Sequence, residues 1–277
     1  MRSPYGAGVA WARNALRRRA RSNTALCRAM TTATFRFYEE LNEFLAPERR
    51  GRDFVFRCAR AATTKHMIEA LGVPHTEVEL VLVNGQSVGF ERLLADGDRV
   101  AVYPKFETLD ITPVLRVREH PLRVSRFIAD AHLGALAHRL RLMGFDTLYE
   151  NEIRDEQIER IARAQDRIVL TRDRELLKRR GVTHGCYVHA VRPDQQLREI
   201  FDRLDLARAA RPFTRCLICN CALHPIEKAR ITSPLPLGVR EHYERFSRCE
   251  GCGRIFWEGT HWRRMRALAD SLLGDAV

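Results

Sequence analysis

VSRFIAD (124–130), HLGALAHRLRLMG (132–144), FDTLYE (145–150), DEQIERIARAQ (155–165), DRIVLTRD (166–173), RELLKRRG (174–181), GCYVHAV (185–191) and PDQQLREIFDRL (193–204) alternate short apolar runs with amphipathic ones. Short strands separated by helices require crossover connections, so this region is expected to form a parallel sheet with helices on both faces. In such sheets ligands bind beyond the carboxyl ends of the strands. Polar residues at those ends are therefore the first to examine.

Three carboxylates stand there. Asp130 ends the first strand, Asp173 ends a later one, and Asp155 opens the helix between them. Taken singly, each reads as a helix cap, because an aspartate before a helix accepts from the free first-turn N–H groups. Together they read differently: several carboxylates at one edge repel unless a cation sits among them. Magnesium and manganese favour a few carboxylates with water and phosphate oxygens, and such ions support phosphodiester cleavage. Glu150, Asn151, Glu152 and Glu156 lie close in sequence and are possible further ligands. His138, Arg139 and Arg141, on the first helix, read as structural or solvated.

Towards the N-terminus the pattern changes. ATFRFYEEL (33–41) reads as a strand and Thr63 to Leu71 as a helix. VELVLV (78–83) and DRVAVYP (98–104) read as further strands. Asn84-Gly85 between VELVLV and QSVGF is a strong hairpin signal, since both positions tolerate positive φ, and Asp96-Gly97-Asp98 marks another tight turn. Strand, helix, hairpin and final strand fit a β-grasp domain. VNGQSVGFERLLADGDRVAVYP (83–104) also resembles the small sulfur-carrier and ubiquitin-like proteins. Carriers act through a free Gly-Gly tail, whereas this chain runs on through Pro104-Lys105-Phe106. The segment is expected to be a binding or regulatory module, not a covalent carrier.

Towards the C-terminus, periodicity is lost after Pro212 and cysteines crowd together. Cys216-Leu-Ile-Cys219 and Cys249-Glu-Gly-Cys252 are two CxxC pairs with 29 residues between them. Four thiolates complete a closed tetrahedral zinc shell and leave no position for substrate, so the zinc is expected to be structural. Cys249→Ser is expected to unfold this ribbon and spare the sheet. Cys221 reads as a bystander, and Cys27, Cys58 and Cys186 as small apolar packing residues. Phe256, Trp257 and Trp262, with arginines nearby, fit either base stacking or the ribbon's own core.

The 277 residues suit two domains or three small ones. No window approaches the roughly 18 uninterrupted apolar residues of a membrane span, and no membrane partner is expected. The formal charge of +12 favours a polyanionic partner, although seven arginines fall in the first thirty residues, where no acid occurs. Residues 1–30 read as a basic, disordered extension. Clustered cysteines suggest metal in a reducing cytoplasm.

The run FIADAHLGALAHRLRLMGFDTLYENEIRDEQIERIARAQDRIVLTRDRELLKRRGVTHGCYV (127–188), continued by PFTRCLIC and CEGCGRIFWEGTHWRRM, resembles the Mut-seven C-terminal RNase family. The segment before it resembles that family's ubiquitin-like companion. The resemblance implies an α/β protein in three parts: a ubiquitin-like β-grasp domain over 31–107, a PIN-like nuclease sheet over 124–208 and a zinc ribbon over 212–270. PIN-like nucleases place acids at the first strand end, in an acid-x-x-Ile helix start and in a Thr-x-Asp turn. These fall on Asp130, on Asp155 with Ile158, and on Thr171 with Asp173, while the fourth acid has no unambiguous match. The implied activity is magnesium- or manganese-dependent hydrolysis of RNA, with His132, Arg172 and Arg174 as candidate RNA contacts. The alternative is a non-catalytic RNA-binding adaptor whose ubiquitin-like domain recruits a protein partner.

Overall fold

The computed structural model describes residues 31–58, 61–104, 116–117, 125–232 and 235–274. The basic extension, Cys27 and the continuation through Lys105-Phe106 lie outside them. Among the described residues no helix is long and apolar enough to cross a membrane.

The first unit is a five-stranded sheet in the order β2-β1-β5-β3-β4. Its strands are β1 (Thr31–Phe37), β2 (Phe54–Cys58), β3 (Leu80–Val83), β4 (Gln86–Val88) and β5 (Asp98–Tyr103). The central pair β1 and β5 is parallel, with Phe35 opposite Val100, and the other pairs are antiparallel. One face of the sheet buries Phe35, Phe37, Val81, Val100 and Val102 together with Met67 and Ile68 of helix α1 (Thr64–Ala70). Thr63 caps α1 by accepting from His66 N at 3.2 Å. The hairpin turn is as expected: Asn84 and Gly85 both have positive φ, 52° and 82°. Strand β2 was not expected. Phe54, Phe56 and Cys58 alternate with Val55 and Arg57, a period-2 pattern easily overlooked in so short a run.

The second unit is a four-stranded sheet, β6 (Phe127–Ala129), β7 (Thr147–Leu148), β8 (Ile168–Thr171) and β9 (Gly185–Tyr187), in the order β7-β6-β8-β9 with every pair parallel. Alternation along the strands divides its core. Phe127, Ala129, Ile168 and Leu170 pack with helices α2 (Gly134–Leu142) and α5 (Pro193–Arg203) on one face. Ile128 and Val169 pack with α3 (Asp155–Gln165) and α4 (Arg174–Lys178) on the other. The chain turns from β6 to β7 in one direction and reaches β8 on the other side. The crevice between the carboxyl ends of β6 and β8 is therefore the sheet's topological switch point.

The β-grasp unit covers the open edge at β9, where unpaired N–H groups would otherwise invite another strand. The buried Glu77 carboxylate accepts from Tyr187 N of this edge strand and pairs with Arg203 at the end of α5. His75 bridges the same boundary, with Nδ1 2.8 Å from Glu69 Oε1 and Nε2 2.9 Å from Val182 O. Breaking a buried ion pair from one side leaves a desolvated charge, typically a loss of about 3–5 kcal/mol. Glu77→Ala should fall near the lower figure, because Arg203 keeps its bond to Tyr187 O at 2.7 Å. An unchanged denaturant midpoint in Glu77→Ala would show that this pair does not hold the units together.

The third unit comprises β10 (Leu223–Ile226), the short helix α6 (Val239–His242), β11 (Phe246–Cys249) and β12 (Ile255–Trp257), an antiparallel sheet in the order β10-β11-β12. Helix α7 (Thr260–Leu273) follows, a helix the sequence reading did not separate from the ribbon. Its Ala269 and Leu272 complete the core of the parallel sheet beside α2 and α5. Arg141, expected to be solvated, is 3% exposed. It donates to Thr147 O, Leu217 O and Ile218 O, each at 2.9 Å, and so ties the first CxxC to the sheet. Ribbon and sheet thus share a core, and the expectation that one can unfold without the other is revised.

Candidate active edge and cysteine centre

The three acids lie along the carboxyl ends of the parallel strands. Asp130 follows β6 directly and Asp173 follows β8 after Arg172. Thr171 links them: its Oγ1 donates to Asp130 Oδ2 at 2.7 Å and accepts from Asp173 N at 2.9 Å. The Thr-x-Asp spacing thus has a geometric role, since one hydroxyl fixes both neighbours across the switch point. Asp155 is the first residue of α3, which packs against β6 and β8.

The capping interpretation holds for one acid of the three. Asp173 Oδ1 accepts from Glu175 N at 2.8 Å and caps α4. Asp130 precedes a 3-10 turn without a side-chain cap bond. Asp155 is one residue past the cap position of α3, where Gln157 Oε1 accepts from Arg154 N at 2.9 Å. Capping therefore does not account for Asp130 or Asp155.

The Asp155 carboxyl sits above the usual carboxylate range. Partial burial is the largest cause, Arg179 opposes it, and the negative charges of Asp173, Asp130 and Glu156 add to the rise. Arg179 lies 3.5 Å from Asp155, 2.9 Å from Glu156 and 3.3 Å from Glu159, a cation that the sequence reading missed. Nothing in the spacing marked it, because its partners are brought together only by the packing of α3 on the segment after α4. A carboxyl whose folded pKa is raised contributes stability that is present at low pH and lost as pH rises through the raised value. Asp155→Asn is accordingly expected to match the wild-type melting temperature below about pH 4 and to exceed it increasingly towards neutrality. A gap that narrows with rising pH would contradict this arrangement of charges.

Around the acids, His132 and Arg172 are exposed, with side chains free to meet solvent-borne ligands. Arg174 is placed differently from its expected role. Its guanidinium lies over the rings of Phe44 (5.0 Å) and Tyr187 (5.5 Å) and donates to Phe44 O at 3.5 Å, so it serves the contact with the β-grasp unit. Tyr149 was also missed. Its hydroxyl lies 3.2 Å from Ala131 O and 3.1 Å from Asn151 Oδ1, beside Asp130. Gly134 makes room for it, since a Cβ there would come within 2.5 Å of the Tyr149 ring.

Among the described residues, the group whose metal-ligating atoms all lie within 4.8 Å of one another is Cys216, Cys219, Cys249 and Cys252. The acids do not meet that measure together. They fit a magnesium-type ion in the looser sense, in which one or two carboxylates bind directly and water completes the shell. The cysteines fit zinc closely. Cys216 and Cys252 are 3.8 Å apart, about the edge of a tetrahedron with Zn–S bonds of roughly 2.3 Å, and Cys219 and Cys249 are 3.2 Å apart. Four adjacent thiolates need a cation: burial pushes the Cys216 thiol up to about 12, while the Cys221 N–H draws Cys219 down to about 6. Each CxxC is followed by a left-handed residue, Asn220 (φ 67°) and Gly253 (φ 71°). Asn220 also docks the ribbon: its Oδ1 accepts from Thr147 N at 3.0 Å and its Nδ2 donates to Asp146 Oδ1 at 2.7 Å. Cys221 stays outside the group of four, its thiol 3.7 Å from Cys219 O.

Thr147 begins β7, so the cysteine centre sits at the amino ends of the strands, opposite the acids.

No curated protein sequence matches the chain. The crystal structure of H. volcanii small archaeal modifier protein 1 is similar at 19% identity, over 27% of this chain and 99% of that one, with a TM-score of 0.23. The Mut7-C ubiquitin family matches residues 30–110, and the Mut7-C RNAse domain family matches residues 125–269. That second match spans more than half of the chain, from the strand that precedes Asp130 to helix α7. The protein belongs to the Mut7-C RNAse domain family, with a Mut7-C ubiquitin-like domain before the RNAse domain.

Proposed function

We propose that the protein is a PIN-like ribonuclease that hydrolyses RNA phosphodiester bonds at the edge formed by Asp130, Asp155 and Asp173, using magnesium or manganese. The observation that carries this reading is the Thr171 hydroxyl holding Asp130 and Asp173 across the switch point, with Asp155 raised by partial burial and, in addition, by the negative charge of both. Capping alone would require neither the link nor the shared field. When bound, the ion supplies charge neutralisation for the scissile phosphate and lowers the pKa of water.

The chain's own residues have separable tasks. Asp130 and Asp173 would hold the ion, their carboxylates fixed by Thr171 and by the Glu175 N–H. Asp155 would add a third carboxylate to the same edge, with Arg179 limiting the repulsion it meets. His132 and Arg172 flank the edge and contact the RNA backbone, whereas Arg174 is assigned to the domain contact. Cys216, Cys219, Cys249 and Cys252 hold a structural zinc, in keeping with a reducing, cytoplasmic setting. The β-grasp unit, docked along β9, keeps its remaining surface for a protein partner.

Labelled single-stranded RNA incubated with the purified full-length protein tests this proposal. Cleavage should need added magnesium or manganese and should disappear in Asp130→Asn. Metal-independent cleavage, or cleavage that persists in Asp130→Asn, would overturn it.

A further inference from the structure

A cleft of about 740 Å³ lies between the ribbon, helix α7 and the segment that joins the ribbon to the sheet. Phe213, Phe256, Trp257 and Trp262 line it, with Arg245 and Arg266 also in its wall. Such a volume is within the usual range for small-ligand sites, about 300–1,000 Å³. Large aromatics normally gain most by full burial, so the fate of each ring distinguishes a core from a binding wall.

The rings divide. Trp257 packs against the ribbon core of Ile231, Val239 and Phe246. Phe213, Phe256 and Trp262 belong to none of the four hydrophobic clusters and are half-buried. Phe213 and Trp262 face one another, with centroids 5.0 Å apart and planes 31° from parallel, and Arg266 lies 6.0 Å from the Trp262 centroid. Phe213 is also held at φ 63°, a left-handed conformation that a bulky residue seldom adopts, by its N–H bond to Leu142 O at 2.8 Å. Strain of this kind collects at ligand sites.

Charge identifies the ligand class. From Arg211 to Gly274 there are 11 Lys and Arg against six Asp and Glu, and Arg263 and Arg264 are exposed on α7 beside Trp262. Flat aromatic faces with a surplus of arginines suit a flat ring attached to an anionic backbone. An apolar peptide would use the rings but not the charge.

We propose that this cleft is a second RNA site that stacks an unpaired nucleobase, apart from the acids. The proposal rests on the ribonuclease reading for the identity of the polymer. Because the ribbon meets the amino ends of the strands and the acids stand at the carboxyl ends, one nucleotide cannot occupy both places. A dinucleotide should reach one site only, and a strand on the order of ten nucleotides should engage both.

Fluorescence anisotropy of a 5′-labelled 12-nucleotide RNA on the full-length protein, without added magnesium or manganese, tests this. Trp262→Ala and Phe256→Ala should each weaken binding by about 5- to 150-fold, and Trp262→Phe should restore most of it. In cleavage, Trp262→Ala should raise KM for the 12-mer and leave kcat unaltered. Zinc content and melting temperature identify a variant that has failed to fold, and Arg245→Glu on the rim then gives a second measure of the same loss. Wild-type affinity for the 12-mer in the folded aromatic variants would overturn the cleft site and point to a protein as its occupant, with the ribonuclease reading intact. Aromatic-dependent RNA binding in a wild-type protein that cleaves no RNA would keep the cleft and remove the catalytic reading.

Discussion

Asp173→Asn is expected to lower RNA cleavage by more than about 100-fold while leaving the metal-free protein at least as stable as wild type. Partners that merely orient metal ligands are worth about 10–100-fold, so loss of a ligand should exceed that range. The stability forecast has a separate origin. Asparagine caps a helix about as well as aspartate, so the bond from Glu175 N survives, and one of the charges that raises Asp155 is removed. Repulsion among these partly exposed carboxylates is screened, which limits the gain to less than about 1 kcal/mol. A clear loss of stability in Asp173→Asn would mean that its negative charge is favourable where it stands, which is incompatible with a cluster of like charges awaiting a cation.

Cys249→Ser should abolish zinc binding and melt the ribbon, with damage that reaches the parallel sheet. Zinc contributes about 10–16 kcal/mol to comparable small modules, as much as the whole stability of many domains. Here the loss does not stop at the ribbon, because Ala269 and Leu272 of α7 belong to the core beneath β6 and β8, and because Arg141 and Asn220 join the first CxxC to β7. Elemental analysis should find no zinc in the variant and about one per chain in wild type. Limited proteolysis should cut first after Pro212, and the α2–α5 face should lose protection with it. Retention of one zinc by Cys249→Ser would move the site, with Cys221 as the replacement ligand. Cys221→Ala should keep its zinc.

Legibility in the sequence followed how local each signal was. The alternation from Val124 to Leu204 marked the parallel sheet because strand and helix periods differ within a few residues, and Asn84-Gly85 marked the β3–β4 hairpin of the β-grasp unit because positive φ is a property of the residue itself. The acids were legible as strand-end residues, and the cysteines as two local pairs. Signals created by packing were not. Arg179 gains its role only when α3 and the chain after α4 meet, Tyr149 only because Gly134 lies under its ring, and Arg174 only because Phe44, 130 residues earlier in the chain, is brought against it. Helix α7 was hidden because its arginine-rich turn drew attention to charge, while the residues it buries, Ala269 and Leu272, fall late in the helix. Strand β2 was hidden by its length of five residues.

The acids and their cation are the centre of the account, and thermal melting with manganese reads them without depending on the choice of RNA. A ligand that binds only the folded state raises its stability in proportion to the logarithm of its concentration. Wild-type protein should melt at progressively higher temperature as manganese is added, and Asp173→Asn should show little or no rise. Equal manganese responses in the two proteins would contradict a metal site at Asp130, Asp155 and Asp173.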